Sequence, residues 1–263
     1  MKYPKKIAII IVWLFSQSFL YGQENKDHYI QPVVDSVLFA KKPYSTASEI
    51  IGIVVPSAMI MYGFISLGDN SIRVLDFTVR NSIEQNNAFW NTHIDDFVQF
   101  TPAIAAYTLK LCKMESKYNL ADMTIIYGLS NLLAGNIISR IKVITGRERP
   151  DHSNNRSFPS GHTETAFVAA EFLYQEFRDH SVWISVGGYC AATFTGIARV
   201  YNNKHWVSDV VASAGIGILS TKAVYWTYPY IQKLFKKKDQ PIHAFIFPTY
   251  NNGNMSLNFS HTF

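Results

Sequence analysis

The chain is short of charge. Of its 263 residues only 16% are Asp, Glu, Lys or Arg, against 48% hydrophobic, whereas an average soluble domain is about 25% charged. That shortage points towards membrane contact. The net charge of +5 is small, and no basic run is interleaved with aromatics, so nucleic acid is excluded as a partner. Lys233, Lys236, Lys237 and Lys238 form a basic cluster suited to phospholipid headgroups or a cytoplasmic flank. Cysteine is equally scarce. Cys112 and Cys190 lie in separate apolar stretches, which excludes a CxxC redox pair and a cysteine metal cluster and predicts two buried free thiols. There is no HExxH, no P-loop and no GxGxxG, so neither a zinc hydrolase nor a nucleotide-dependent enzyme fits. Strand-like alternation is missing before residue 242.

What is present is helical. Apolar stretches at 50–67, 97–111, 121–138, 182–198 and 207–226 alternate with short polar loops. The first holds 18 residues without a charge, enough to be the best candidate membrane span, with Pro56 as a kink. Residues 69–96 mix Ile72, Leu75, Phe77, Val79 and Ile83 with Arg73, Asp76, Arg80 and Glu84, the pattern of an amphipathic helix. Gly128, Ser130 and Gly135 suggest close helix packing. Residues 1–22 carry Lys2, Lys5 and Lys6 before a short apolar core, as an export signal or signal anchor does. A further short amphipathic helix is expected near residues 32–40. After residue 242 two alternating runs flank Asn251-Asn252-Gly253-Asn254, which predicts one β-hairpin. The expected fold is all-α, a bundle of about six helices with a short C-terminal hairpin. Its expected divisions are 1–22, a helical domain over 23–227 with its motif core at 120–227, and a basic linker with hairpin over 228–263.

Ten residues within that bundle carry chemistry. Lys142 is followed by Arg149-Pro150, then by Pro159-Ser160-Gly161-His162, then by Arg199, His205 and Asp209. His205 and Asp209 are four apart at a helix start, so they share a face. A carboxylate there holds one imidazole nitrogen and leaves the other free to attack. Pro-Ser-Gly before His162 is a helix-start signal whose free N–H groups bind anions, and His162 beside them is placed to protonate a leaving oxygen. Lys142, Arg149 and Arg199 supply the positive charge that phosphoryl transfer needs. Each motif alone is weak, since HxxxD is short and common. Their fixed order is what gives them force.

The constellation resembles the type 2 phosphatidic acid phosphatase (PAP2) superfamily, with its pattern KxxxxxxRP, PSGH and SRxxxxxHxxxD. Ala198 departs from it, standing where serine is usual. The resemblance implies His205 as nucleophile, Asp209 as its orienting carboxylate and His162 as acid and then base. It implies Lys142, Arg149, Ser160, Gly161 and Arg199 as the phosphate cradle, with no metal and no cofactor. The implied activity is hydrolysis of a phosphate or diphosphate monoester through a phosphohistidine. Candidate substrates are lipids: phosphatidic acid, phosphatidylglycerol phosphate, undecaprenyl diphosphate or a lipid A phosphate. The expected location is the inner membrane with the site facing the periplasm. A soluble periplasmic acid phosphatase, favoured by Glu171 and Glu176 inside a helix, stands as the alternative. A catalytically dead lipid-binding envelope protein and a vanadium haloperoxidase are remoter ones.

Overall fold

Helix ends in this chain are set by local chemistry. The computed structural model describes residues 46–235, 244–251 and 254–261. Its helices are α1 (Thr46–Ile65), α2 (Ser71–Gln85), α3 (Asp95–Val98), α4 (Thr101–Leu111), α5 (Leu120–Thr145), α6 (Gly161–Phe177), α7 (Val182–Tyr201) and α8 (Val207–Phe235). Asn70 caps α2 by accepting from Ile72 N and Arg73 N, and Asn119 caps α5 by accepting from Asp122 N. Both satisfy N–H groups that a helix start leaves open. Gly146 ends α5 at φ 53°, a left-handed position that suits glycine.

Six of the eight helices among the described residues have 15 residues or more. They correspond to the expected bundle. The 97–111 stretch is not one helix, because Gln99 and Phe100 separate α3 from α4. Nor do residues 228–235 begin a linker, since they continue α8. Two C-terminal segments, β1 (Ala244–Asn251) and β2 (Asn254–His261), pair antiparallel from Ala244↔His261 to Asn251↔Asn254. The expected signal at 1–22, the short helix near 32–40 and Lys236, Lys237 and Lys238 lie outside the described residues.

The helix α6 is central, with α4, α5, α7 and α8 around it, and α1 packs on α8. Ala106, Met123, Ile126, Phe172, Phe177 and Tyr225 form the main core cluster. Glu171 and Glu176 are buried here. They face the bundle interior and not lipid or water, which removes their support for a soluble domain. Glu171 pairs with Lys222 at 2.9 Å and accepts from Gln175 and Tyr189. Glu176 accepts from Tyr225 Oη at 2.5 Å and Tyr118 N at 3.0 Å. A buried carboxylate is tolerable when its oxygens are filled in this way.

Close helix contact falls elsewhere than expected. A Cβ on Gly128 or Gly135 would meet nothing within 4 Å, whereas on Gly215 it would lie 2.4 Å from Pro56 O. The seam needing small residues is therefore α1 against α8. Both cysteines are exposed free thiols, not buried ones. Large apolar side chains also stay exposed on α1, α5 and α7, among them Ile51, Val54, Met61, Leu132, Ile144, Trp183 and Phe194. An apolar surface of this extent marks a contact with membrane or partner. The stretch Val207–Lys233 is long and apolar enough to cross a membrane by length and composition, though most of it is buried within the bundle.

Candidate functional site

The C-terminal ends of α5 and α7 and the N-terminal ends of α6 and α8 lie together at one end of the bundle. The loops joining them carry the motif residues. Phe158 is fully buried, with its ring 5.3 Å from Phe64 of α1, so the loop that delivers Ser160 and His162 is anchored apolarly. Lys142 holds the same loop. Its Nζ donates to Arg156 O at 3.0 Å and to Pro159 O at 2.5 Å. Two of the three ammonium protons are thus spent on carbonyls, leaving one for a substrate oxygen. Ser160 is fully buried at the N-cap of α6, where its Oγ accepts from Thr163 Oγ1 at 3.0 Å and keeps its own proton to donate. A Cβ on Gly161 would meet nothing within 4 Å, so the backbone there is open to a close-approaching group.

Asp209 is fully buried and well provided with donors. Its Oδ1 accepts from Arg147 Nη1 at 2.7 Å, and its Oδ2 from Ser157 Oγ at 2.5 Å and Trp206 N at 2.9 Å. His205 Nδ1 lies 3.5 Å from Oδ2, beyond a normal N–H···O hydrogen bond. Asp209 therefore acts on His205 as a near charge, and His205 Nδ1 is buried without a hydrogen-bond partner. Catalytic contacts of this kind commonly tighten only with substrate bound. Burial holds the His205 imidazole down at about 4, against the pull of Asp209. The ring is consequently neutral at ordinary pH.

His162 has a different environment. It is about one-third exposed, and its Nε2 lies 2.7 Å from Asp96 Oδ1. Burial and the Arg199 charge lower its proton affinity, while Asp96 and then Asp95 raise it. Asp95 also clamps Arg199, accepting from its Nη1 at 2.6 Å and from Asn202 Nδ2 at 3.0 Å. One edge of the guanidinium is fixed in this way, while Arg199 Nε is buried with no partner. Arg149 Nε is likewise buried and unpartnered. The cationic and imidazole groups feel one another: Arg199 lowers the proton affinity of His162, Arg149 and His205. All eight predicted site residues therefore belong to one end of the fold. Ala198, at the serine position, is fully buried.

Sequence reasoning missed five participants: Asp76, Asp95, Asp96, Arg147 and Ser157. Arg147 links Asp209 to Asp76 of α2 through Nη2 at 2.7 Å, and Asp76 also accepts from Ser208 N at 2.9 Å and Ser208 Oγ at 2.5 Å. Only Arg147 and Ser157 lie within the motif region. Their spacing gave no signal, and the three aspartates come from segments more than 40 residues upstream of Lys142. Asp95, Asp96 and His162 each bring one ligand atom within 4.8 Å of the others. Asp95 is held by Arg199 Nη1 at 2.6 Å and Asp96 lies 2.7 Å from His162 Nε2, so each carboxylate has a partner within the chain.

Residues 123–233 match the family model described as the PAP2 superfamily. Over 200 residues the chain is 35% identical to a lipid A 1-phosphatase of Porphyromonas gingivalis, covering 72% of this chain and 43% of that one. Over 109 residues it is 31% identical to a phosphatidylglycerophosphatase B of Bacillus subtilis, covering 37% and 52%. The chain thus spans about half the length of these curated relatives, or less. A transmembrane PAP2-type phosphatidylglycerolphosphate phosphatase crystal structure from Bacillus subtilis aligns at 20% identity and a TM-score of 0.45, covering 70% of this chain and 99% of that one. The family match takes in every motif from Lys142 to Asp209, and the region 123–233 belongs to the PAP2 superfamily.

Proposed function

We propose that this protein is a metal-independent phosphatase acting on a phosphate or diphosphate monoester of a membrane lipid through a phosphohistidine. The observation that carries the reading is that three of the seven partnerless buried side-chain atoms among the described residues fall on motif residues. His205 Nδ1, Arg149 Nε and Arg199 Nε are all buried without a hydrogen bond, and all three belong to the motif. Leaving such groups unsatisfied costs about 1–3 kcal/mol each, and a phosphoryl group supplies what the two guanidinium N–H groups lack.

The chemistry follows from the two imidazoles. His205, neutral and with Nδ1 turned towards Asp209, attacks phosphorus through Nε2. The P–O ester bond breaks, and His162 gives its proton to the departing alkoxide. Arg149, Arg199, Lys142, Ser160 and the N–H groups at the start of α6 hold the equatorial oxygens as charge redistributes. The imidazolium formed at His205 is stabilised by Asp209. Water then attacks the phosphohistidine, His162 takes its proton, and phosphate leaves. Burial lowers the proton affinity of both histidines, but Asp96 and Asp95 pull His162 back towards its protonated form, which suits it to the acid's role.

A lipid substrate is supported by the exposed apolar side chains of α1, α5 and α7 and by the names of the relatives, which act on lipid phosphates. We place the protein at the inner membrane with its site facing the periplasm, in keeping with the basic-then-apolar start of the sequence. The decisive experiment is acid-labile phosphoenzyme trapping with lipid substrates on the purified full chain. The wild type should accumulate phosphohistidine and His205→Ala should not. Undiminished lipid dephosphorylation by His205→Ala would remove the nucleophile assignment. Release of the protein from membranes by carbonate would instead favour the soluble phosphatase.

A further inference from the structure

Arg149 borders a second feature that the chemistry at His205 does not use. A cavity of about 160 Å³ is lined by Arg73, Phe77, Arg80, Arg147, Arg149 and Trp206, together with the Glu148–His152 pair. At about 30 Å³ per water it has room for roughly five water-sized atoms, the size of a phosphoryl group. Arg73, Phe77 and Arg80 fall at i, i+4 and i+7 of α2 and so form one stripe.

The charge of this cavity is poorly compensated. Arg73 reaches Asp69 at 2.8 Å, but Asp69 is 95% exposed, so solvent screens the pair. Arg80 lies 3.3 Å from an exposed Glu84, and Arg80 Nε is buried with no partner. Arg149 Nε is in the same condition. Arg80 Nε is thus a partnerless buried guanidinium N–H that the chemistry at His205 does not use, and Arg149, whose Nε serves the transferring phosphoryl group, lines this cavity as well. Glu148 does not answer them, since its carboxylate lies 2.8 Å from His152. The walls are held in place. Phe77 meets Trp206 edge-on at 4.9 Å, Trp206 Nε1 donates to Glu148 O at 2.9 Å, and the Arg147 guanidinium lies 5.5 Å from the Trp206 ring. Arg147 itself is committed to Asp76 and Asp209.

A fixed, cation-rich cavity that shares Arg149 with the catalytic cradle suits an anion attached to the group being cleaved. Resting on the phosphatase reading above, we infer that Arg73, Arg80 and Arg149 form a second phosphoryl subsite, so that diphosphate esters are selected over monophosphates of the same alcohol. The terminal phosphoryl group passes to His205. The inner phosphate sits against α2 and departs as the monophosphate ester, its bridging oxygen taking the proton from His162. Arg73 and Arg80 lie outside residues 123–233, the family match, so this selectivity belongs to the part of the chain that precedes the shared core.

The test compares kcat/KM for an alkyl diphosphate and the corresponding alkyl monophosphate in wild type, Arg80→Gln and Arg73→Gln. Wild type should prefer the diphosphate, and each variant should cut the preference about tenfold, the worth of one charge-assisted hydrogen bond. The ratio is unaffected by any loss of folded protein, because both rates scale with active enzyme. An unchanged ratio in both variants, or a wild type without preference, overturns the subsite. A second arm needs no turnover. Calorimetry on His205→Ala protein should show a methylene diphosphonate ester binding more tightly than the matching phosphonate, with the advantage lost in His205→Ala/Arg80→Gln. Equal affinities would overturn the subsite. Failure of wild type to form phosphohistidine, with the diphosphonate advantage intact, would strike the reaction assignment alone.

Discussion

Replacing Asp96 by Asn removes one charge from the neighbourhood of His162 while keeping a side chain of the same size. Asp96 Oδ1 lies 2.7 Å from His162 Nε2, with the imidazole about one-third exposed and the carboxylate 42% exposed. A fully buried ionic hydrogen bond is worth about 1.5–3 kcal/mol, and a fully exposed pair about 0.2–1 kcal/mol. An intermediate site should give about 1 kcal/mol, or about 0.7 of a pH unit. The sign is fixed by the charge. Asp96 favours the protonated imidazole, so its loss lowers the proton affinity of His162, which burial and Arg199 already depress below its ordinary 6.5. In the pH profile of kcat/KM, the alkaline limb reports the acid of the free enzyme. That limb should begin below pH 6.5 in wild type and move about 0.7 lower in Asp96→Asn. At pH 7.5 the variant should lose about fivefold on an alkyl phosphate, with the plateau on the acid side little changed. p-Nitrophenyl phosphate needs no proton on its leaving group, so its kcat/KM should barely respond. An alkaline limb that stays put or moves up would refute the assignment of Asp96 to His162. Equal losses on both substrates would make Asp96 a structural residue only.

Asp76→Ala should destabilise the protein by about 3–5 kcal/mol, because it leaves Arg147 and Ser208 short of a buried partner; denaturant unfolding in detergent measures this, and activity should fall with it. Gly215→Val should cost about 1–3 kcal/mol by forcing α1 from α8, whereas Gly187→Ala, inside α7 with open space for its Cβ, should raise the melting temperature slightly, by the roughly 0.5–1 kcal/mol that alanine gains over glycine in a helix. His205 should make the fold acid-sensitive. Its folded value is depressed from 6.5 to about 4, so the unfolded state binds the proton more readily, and about 3 kcal/mol present above pH 6.5 should be lost as pH falls to 4. His205→Asn should abolish that slope, read from unfolding midpoints between pH 4 and 7.

The gathering of the motif residues at one end of the bundle was legible because those residues are tied to helix ends. A helix start at Ser160-Gly161, a spacing of four from His205 to Asp209 and a cation in the last turn of α7 are all local facts. Asp76, Asp95 and Asp96 were not legible. On its own helix Asp76 sits between apolar residues like any solvated charge, and only the return of the chain 132 residues later puts Ser208 on it. Glu171 and Glu176 misled for the same reason: their partners Lys222 and Tyr225 come from α8. The glycine seam was misplaced because composition reports small residues but not what faces them. Gly128 and Gly135 face open space, and Gly215 faces Pro56.

The link from Asp209 through Arg147 to Asp76 has a practical side. The family match begins at residue 123, and a fragment cut there would look like a complete catalytic unit by its motifs. It would lack α2, so Arg147 would have no second carboxylate and Ser208 no acceptor at the start of α8. It would also lack Asp95 and Asp96, freeing Arg199 and His162 from their clamps. The smallest piece worth expressing therefore starts upstream of α1, whose Phe64 packs on Phe158. Homologues that share the motifs but differ before them should not be assumed to exchange catalytic cores with this chain.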